Sequence, residues 1–361
     1  MKTEFAEPKL YMTGQELFPD LERLIREAKR EILVSVYEFT QDTIGKKFSK
    51  LFGEAARRGV RVRVLFDNVE LLRDLNESVR ENLQMLGADV IIFRPLKSWL
   101  PWHPLASACR NHVRLLLIDR KIFGLGGMSF AGTSLLRQDL FMLCRAGHAP
   151  DIAEYFEKLC RLAFRSSLPQ ALSLGKSAVI LPGYTLLTSG PQKRDREIYR
   201  WLENTIHGAK KYIGIATPFF FVDRHILKHL AQARRRGVNI EIITPLRTDK
   251  PRYDWFRAVP VPYLTRRGVL WHGAKEYFHS KCCIVDDQWM FGSANIDIFG
   301  IERNYELNVC GSEKKMRALL EEHLAGLKKD AATITTQPTP WYIHILIIVF
   351  RRLAEFILKL T

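Results

Sequence analysis

The chain has 361 residues, of which 47% are apolar and 26% charged, as in an ordinary globular protein long enough for two domains with separate cores. The formal net charge of +16 predicts a basic surface, which attracts nucleic acid, anionic lipid or another polyanion. The six cysteines lack metal-ligand spacing, which excludes a cysteine metal centre, and the N-terminus has no apolar signal segment. We therefore expect buried free thiols in a reducing compartment and no secretory signal.

Helical and strand patterns alternate along the first part of the chain. In order they predict helix 14–30, strand 32–37, helix 42–57, strand 60–66, helix 69–86 and strand 90–93. Such β-α-β alternation predicts a parallel or mixed sheet with helices on its faces.

The same order returns later in the chain. It predicts helix 198–210, strand 212–216, helix 223–236 and strand 238–243. The Arg58-Gly59 pair, which ends a helix before a strand, recurs as Arg236-Gly237, so the repeat is about half the chain long. Pro and Gly residues over 166–192 indicate the linker. We expect one α/β half over 1–165, a second over 166–330 and a tail over 331–361.

A short segment near residue 280 carries polar residues that a buried strand has no structural use for. His279 and Lys281 are two residues apart, so alternation along a strand places them on one face, and Asp286 should point the other way. An imidazole beside an ammonium suits an anionic substrate, because one can attack or move protons while the other neutralises oxygen charge. Gly292, Ser293 and Asn295 follow.

The earlier half carries the same spacing at His112, Arg114 and Asp119, followed by a Gly-Gly turn at 126–127. Each half has only one such motif, so a site with two histidines would have to form where the halves meet. The predicted fold is therefore two similar α/β sandwich halves with mixed sheets flanked by helices. We expect them to be related by a pseudo-twofold axis with the active site at their interface. No cluster of metal ligands is apparent, and we expect neither metal nor other cofactor.

Two loops that would lie beside this site mix aromatic residues with bases. They span 96–104 and 247–267. Their rings either pack on their own domain or enter lipid headgroups, where amphipathic rings are favoured.

The tail over 341–360 has an apolar stretch too short to span a bilayer as a helix. On a helical projection its polar residues fall within one arc, and the remaining surface is apolar. These residues are His344, Arg351, Arg352, Glu355 and Lys359. The pattern is typical of a helix lying in a membrane interface, and docking on the protein or on a partner is the alternative.

The two motifs resemble those of the phospholipase D superfamily, and most of all those of bacterial cardiolipin synthases. The His-x-Lys-x4-Asp pattern with its Gly-Ser and Asn is complete at His279, Lys281, Asp286, Gly292, Ser293 and Asn295. Further similarity runs through 215–220, 235–238 and 303–308, within a region of about 15–311. In the first motif, Arg114 stands where the family usually has lysine, and Ser129 lies near the usual asparagine. Arginine still supplies a permanent charge and a planar fork for phosphate oxygens.

The resemblance implies residue roles. His112 would be the nucleophile that forms a phosphohistidine, and His279 the acid and base, although the symmetry of the repeat leaves the reverse assignment open. Arg114, Lys281, Ser293, Asn295 and Ser129 would contact the phosphate. Asp139 and Glu306 match the acids that orient each histidine, and Asp119 and Asp286 would support the site.

The resemblance further implies an enzyme that moves a phosphatidyl group between phospholipids such as phosphatidylglycerol, with hydrolysis as a related outcome. Its partners would be an anionic phospholipid substrate and the cell membrane. The protein would bind peripherally to the cytoplasmic side of that membrane. Two alternatives stay open at this point. The basic charge would equally suit a nuclease of the same superfamily, and Arg114 and Ser129 leave room for a non-catalytic phosphate-binding protein at the membrane.

Overall fold

Two large mixed β-sheets form the framework of the protein. The structure, a computed structural model, describes residues 5–67, 77–93, 109–147, 149–163 and 179–335 and the single positions 172, 174 and 349. The predicted loop 96–104, the start of the predicted helix 69–86 and, apart from residue 349, the predicted tail helix 341–360 lie outside this range.

The first sheet has seven strands in the order β1-β7-β6-β5-β2-β3-β4. Its strands are β1 (Lys9–Tyr11), β2 (Glu31–Val36), β3 (Arg61–Asp67), β4 (Asp89–Phe93), β5 (Leu115–Ile118), β6 (Ile122–Gly126) and β7 (Phe141–Arg145). The neighbours β2, β3 and β4 are parallel, and the other pairings are antiparallel. The accompanying helices are α1 (Gly14–Glu27), α2 (Thr43–Arg57), α3 (Glu77–Met85) and α4 (Ala149–Ala163).

The second sheet has nine strands in the order β18-β13-β12-β10-β14-β15-β17-β9-β8. These are β8 (Val179–Leu181), β9 (Tyr184–Ser189), β10 (Tyr212–Ala216), β12 (Asn239–Pro245), β13 (Leu270–Ala274), β14 (Cys282–Val285), β15 (Gln288–Gly292), β17 (Glu306–Gly311) and β18 (Ala332–Thr333). A separate pair joins β11 (Phe220–Phe221) to β16 (Ile296–Asp297). The helices are α5 (Glu197–Gly208), α6 (Arg224–Arg235), α7 (Pro251–Asp254), α8 (Pro260–Thr265), α9 (Ile298–Glu302) and α10 (Lys314–Lys328).

The strand orders show the duplication directly. The run β1-β7-β6-β5-β2-β3-β4 of the first sheet has the same order and directions as β9-β17-β15-β14-β10-β12-β13 of the second. Even the recurring Arg-Gly pairs have a common use, since Gly59 and Gly237 have φ of +86° and +93° just beyond α2 and α6. This left-handed conformation favours glycine and ends both helices before a parallel strand, β3 or β12. The predicted fold class is confirmed.

Three large hydrophobic cores hold these layers together. One lies between the first sheet and α1, α2 and α3, and another between the second sheet and α5, α6 and α8. The third and largest core lies between the two sheets and takes in α4 and α10. Strands β15 and β17 contact β6 across this central core. The halves therefore share apolar packing beneath the edge where the histidine motifs meet.

The segment predicted as a linker, 166–192, is partly sheet. Strands β8 and β9 pair antiparallel within it, and Pro182-Gly183 is the turn of their hairpin, with Gly183 at φ +84°. Pro and Gly serve hairpin turns as well as linkers, which is why composition alone misassigned this stretch. At the other end, β18 pairs with β13, so the second sheet includes residues placed in the predicted tail.

Candidate active site

The two histidine motifs lie at corresponding positions in the sheets. His112 and Arg114 directly precede β5, and His279 and Lys281 directly precede β14. Strands β5 and β14 run antiparallel to β2 and β10, so both motifs lie where those central strands end. The motif residues were expected within the strands and instead stand just before them. The reason is a contact with the opposite half: His112 N donates to Tyr305 O at 3.0 Å, and His279 N donates to Gln138 O at 2.8 Å.

The carboxylates that hold the histidines also come from the opposite half. His112 Nδ1 lies 2.8 Å from Glu306 Oε1, and His279 Nδ1 lies 2.8 Å from Asp139 Oδ2. Gly127 makes room for this arrangement, because a Cβ there would lie 2.2 Å from Asp139 Oδ1. The structure thus brings both motifs and both acids into one site that neither half could complete alone.

Burial and charge decide the protonation of these groups. The pKa of His112 is held well below its usual range, first by burial and then by the charges of Arg114 and Lys281. Burial, Lys281 and Arg137 lower the pKa of His279 in the same way. Both imidazoles are therefore neutral at neutral pH. With Nδ1–H donated to a carboxylate, each Nε2 keeps the lone pair that a nucleophile or a base requires.

The two acids are buried as well, but burial raises the pKa of a carboxyl group where it lowers that of a histidine. Burial raises the pKa of Glu306 well above its usual range and raises that of Asp139, while Arg114 and Lys281 oppose the increase for both. For Glu306 the hydrogen bond from Ser293 opposes burial most, so this bond together with the cations favours the ionised carboxylates beside the histidines.

Arg114 occupies the position of the usual family lysine and contacts the first histidine closely. Its Nη1 lies 3.2 Å from His112 Nε2, and its Nε donates to Ser129 Oγ at 3.2 Å. Tyr37, at the end of β2, packs its ring 4.5 Å from that of His112 and lies under the guanidinium. Ser129 was predicted to contact phosphate, and the structure uses its hydroxyl to hold Arg114.

Lys281 makes the corresponding contacts in the second half. Its side chain is almost fully buried, with Nζ 2.6 Å from His279 Nδ1 and donating to the His279 carbonyl. Burial lowers the pKa of Lys281 well below its ordinary value, and Asp139 opposes that shift. A bound anion would favour the charged ammonium, which is the chemistry expected of a phosphate-binding lysine.

Ser293 and Asn295 differ in whether their polar side-chain atoms already have hydrogen-bond partners. The Ser293 hydroxyl donates to Glu306 Oε2 at 2.5 Å and accepts from Leu307 N at 3.0 Å, so it holds the carboxylate rather than offering its hydrogen to a phosphate. Asn295 Oδ1 is buried and has no hydrogen-bond partner within the described residues.

Asp119 and Asp286 lie away from the histidines. Asp119 accepts from the N–H groups of residues 29, 30 and 31, and Asp286 from those of residues 210, 211 and 212. Both have positive φ, 51° and 50°. They close the turns before β2 and β10 and do not reach the reacting groups, so grouping them with the catalytic residues is not supported by their positions.

Sequence analysis missed Arg137, Tyr277 and Tyr37. Arg137 lies two residues before Asp139, with its guanidinium over the Tyr277 ring at 5.7 Å from the centroid. Tyr277 lies two residues before His279 and donates to Asp249 Oδ1 at 3.0 Å. Period-two spacing from His279 would have pointed to Tyr277, whereas Arg137 lies in a loop and Tyr37 is recognisable only by its position at the end of a central strand.

Two further features bear on the chemistry and the surroundings of the site. In the part of the chain that the structure describes, no group of three or more His, Cys, Asp or Glu side chains is arranged to hold a metal ion. No helix there combines the length and the apolar character needed to cross a bilayer.

Comparison with known proteins agrees with this geometry. Residues 21–160 and 202–328 match the family model described as cardiolipin synthase, PLD-like domain. A cardiolipin synthase of Halalkalibacterium halodurans is 27% identical over 312 residues, covering 83% of this chain and 61% of that protein. A probable cardiolipin synthase of Bacillus subtilis is 26% identical over 326 residues, covering 87% of this chain and 64% of that protein. The chain thus spans about three-fifths of the length of these relatives.

A solved structure shares the fold. The phosphatidylserine synthase of Haemophilus influenzae Rd KW20 superposes with a TM-score of 0.71 at 16% identity, covering 97% of this chain and 94% of that one. Because the family model matches both halves and most of the chain, as the motifs led us to expect, the protein belongs to the family of cardiolipin synthase, PLD-like domains.

Proposed function

We propose that the protein transfers a phosphatidyl group from one phospholipid to the alcohol of another, with phosphatidylglycerol as donor and cardiolipin as product. The observation that carries this proposal is the pair of buried histidines, each held at Nδ1 by a carboxylate of the opposite half and flanked by Arg114 or Lys281. Membership of the cardiolipin synthase, PLD-like family supports the choice of a phospholipid over another phosphodiester.

The first step forms a covalent intermediate. His112 Nε2 attacks the phosphorus, the bond from phosphorus to the departing glycerol oxygen breaks, and that oxygen takes a proton from His279. Glu306 accepts from His112 Nδ1–H and stabilises the positive charge that develops on the ring. Arg114 and Lys281 neutralise the non-bridging oxygens. Since burial and the neighbouring cations hold the pKa of His279 low, the substrate phosphate anion supplies the charge that favours its protonated form.

The second step reverses the roles of the groups. The acceptor hydroxyl gives its proton to His279, its oxygen attacks the phosphorus, and the P–N bond breaks with its electron pair returning to His112 Nε2. Asp139 holds His279 in the orientation that serves both steps. Water in place of the lipid alcohol gives hydrolysis. The reverse assignment, with His279 as nucleophile, uses the same geometry and is addressed by the leaving-group experiment in the Discussion.

We propose that the protein lies on the cytoplasmic face of the cell membrane. In the loop 247–267, whose rings were expected to pack on the domain or enter lipid headgroups, Tyr253 and Trp255 are 36% and 44% exposed, and Leu246 directly before it is 38% exposed. Lys250 lies in the same segment, and its charge contributes to lowering the pKa of His112, so this surface borders the site. Aromatic rings beside a base suit the interface of an anionic bilayer. The tail helix 341–360 expected from the sequence would add a second attachment.

The test is an assay of purified protein with phosphatidylglycerol vesicles and, separately, with single- and double-stranded DNA, each with chelator present. We expect cardiolipin and free glycerol, measured by mass spectrometry, and intact DNA. His112→Ala should lower cardiolipin formation by at least about 10³-fold because it removes the nucleophile. His225→Ala, which changes an exposed histidine on α6, is the matched control. Cleaved DNA with unchanged lipid would point to the nuclease alternative, and unchanged rates in His112→Ala would refute the two-histidine mechanism.

A further inference from the structure

Arg137 is a further cation of the site for which the mechanism above has no role. Its side chain is only 13% exposed, yet its Nε is buried without a hydrogen-bond partner among the described residues. The guanidinium lies 4.0 Å from Glu38 Oε2, at the limit of an ion pair, and over the Tyr277 ring. A buried donor of a charged group costs free energy when it stays unsatisfied, so this nitrogen points to a missing acceptor.

The position of Arg137 is asymmetric with respect to the two histidines. The next residue, Gln138, accepts the backbone N–H of His279, and the Tyr277 ring centroid lies 6.5 Å from that of His279. The charge of Arg137 lowers the pKa of both His279 and Lys281. Arg137 therefore lies beside the histidine that deprotonates the incoming alcohol.

The proposed reaction involves two phosphates, and the motif residues account for one. The donor phosphate must lie between the histidines, where Arg114 and Lys281 flank the rings. The acceptor lipid carries a second phosphodiester, separated by a glycerol unit from the hydroxyl that attacks. This second phosphate requires a cation that lies close to His279 but outside the motifs. Arginine offers such a phosphate a planar fork of donors.

Building on the proposed function, we propose that Arg137 binds the phosphate of the acceptor phospholipid. In the second step this contact would hold the lipid alcohol so that its oxygen attacks the phosphorus while its proton passes to His279 and the P–N bond breaks. Water and small neutral alcohols have no phosphate for Arg137 to bind. Arg137 thus determines the preference for an anionic lipid acceptor and takes no part in forming the phosphohistidine.

The test compares acceptors. Arg137→Gln and Arg137→Lys are assayed on phosphatidylglycerol vesicles with and without ethanol, and cardiolipin, phosphatidic acid and phosphatidylethanol are measured together. For Arg137→Gln we expect cardiolipin formation to fall by about 10- to 100-fold, the range for loss of a hydrogen bond to a charged group. Phosphatidylethanol should stay within about threefold, which also shows that the variant is folded. Arg137→Lys should lie between, and the matched control is Arg317→Gln, which changes a partly exposed arginine of α10.

Each other outcome overturns a specific claim. If cardiolipin and phosphatidylethanol fall equally in folded Arg137→Gln, the residue acts on the donor or on the chemistry, and the acceptor assignment is wrong. If neither falls, Arg137 binds no phosphate during turnover. A wild-type protein that forms no phosphatidyl product from any alcohol overturns the proposed function itself and removes the basis of the assignment.

Discussion

Replacement of Glu306 by glutamine should disable a histidine that belongs to the other half of the chain. The two carboxylate oxygens have different partners, since Oε1 faces His112 Nδ1 and Oε2 accepts the Ser293 hydroxyl. The Ser293 hydroxyl donates to Oε2 at 2.5 Å, and its other acceptor, Leu307 O, is more distant at 3.3 Å, so we expect it to keep donating to the side-chain oxygen of residue 306. The amide oxygen of glutamine would therefore turn towards Ser293 and present its NH₂ to His112. His112 Nδ1 would then have to accept, which moves the ring proton to Nε2 and blocks the nucleophile.

The expected loss is large for an isosteric change. Converting the orienting carboxylate of a catalytic histidine into an amide imposes the wrong tautomer, at a cost of about 10⁴-fold in kcat in a comparable triad. We expect kcat for phosphatidyl transfer to fall by about 10³- to 10⁴-fold, or about 4–5.5 kcal/mol of transition-state stabilisation. The melting temperature should change little, because size and packing are kept.

A leaving-group comparison tests the mechanism behind this loss. A phosphodiester with a p-nitrophenolate leaving group needs no proton from an acid in the first step, so Asp139→Asn, which disturbs His279, should recover much of the rate of the first release of p-nitrophenolate, measured as a burst. Glu306→Gln should stay slow, because the nucleophile is blocked whatever the leaving group. The exposed Glu321→Gln is the matched control. A kcat within threefold of wild type for Glu306→Gln would refute the tautomer argument, and the opposite recovery pattern would make His279 the nucleophile.

Two further predictions concern stability. Asp286→Ala removes the acceptor of three backbone N–H groups and places alanine at φ 50°. We therefore expect the free energy of unfolding, measured by thermal unfolding, to fall by about 2–3 kcal/mol. A large loss of kcat in folded protein, measured from initial rates, would contradict the structural role. His323 is buried against Ser280 Oγ, and burial lowers its pKa to about 4. Because unfolded histidine binds a proton at higher pH than the folded one, this group destabilises the protein as pH falls from about 6.5 to about 4. Urea unfolding at pH 7.5 and 5 should show a decline about 2 kcal/mol smaller in His323→Gln than in wild type or His225→Gln, and equal declines would refute the assignment.

The secondary structure could be predicted where the pattern is local. The strand expected over 212–216 is β10, and the helices on either side agree with α5 and α6 to within two residues. Apolar periodicity and glycine stops depend on neighbours in sequence, so they are visible without the fold. The Pro182-Gly183 turn fits a linker as well as a hairpin, and the strand that holds β9 in the sheet, β17, comes much later in the chain, so local composition could not distinguish the two.

The site could be predicted only in part. Spacing placed His279 beside Lys281 and His112 beside Arg114, and both pairs are in contact. Which acid serves which histidine was beyond local reasoning, because the partners are 194 and 140 residues apart in sequence. Arg137 was not predicted as a site residue because it lies in a loop, where the sequence has no periodic pattern. Its importance rests on an unsatisfied nitrogen, which only coordinates reveal.

The exchange of acids between the halves has a consequence for synthesis of the chain. During translation the first half leaves the ribosome with His112 but without Glu306, and His279 is made after the Asp139 that will hold it. A domain generally folds as a unit while the rest of the chain is still being made. A nascent first half would therefore carry a histidine that nothing orients. On the proposed mechanism, His112 is oriented only when β17, which carries Glu306, has docked, so folding of the second half delays the chemistry.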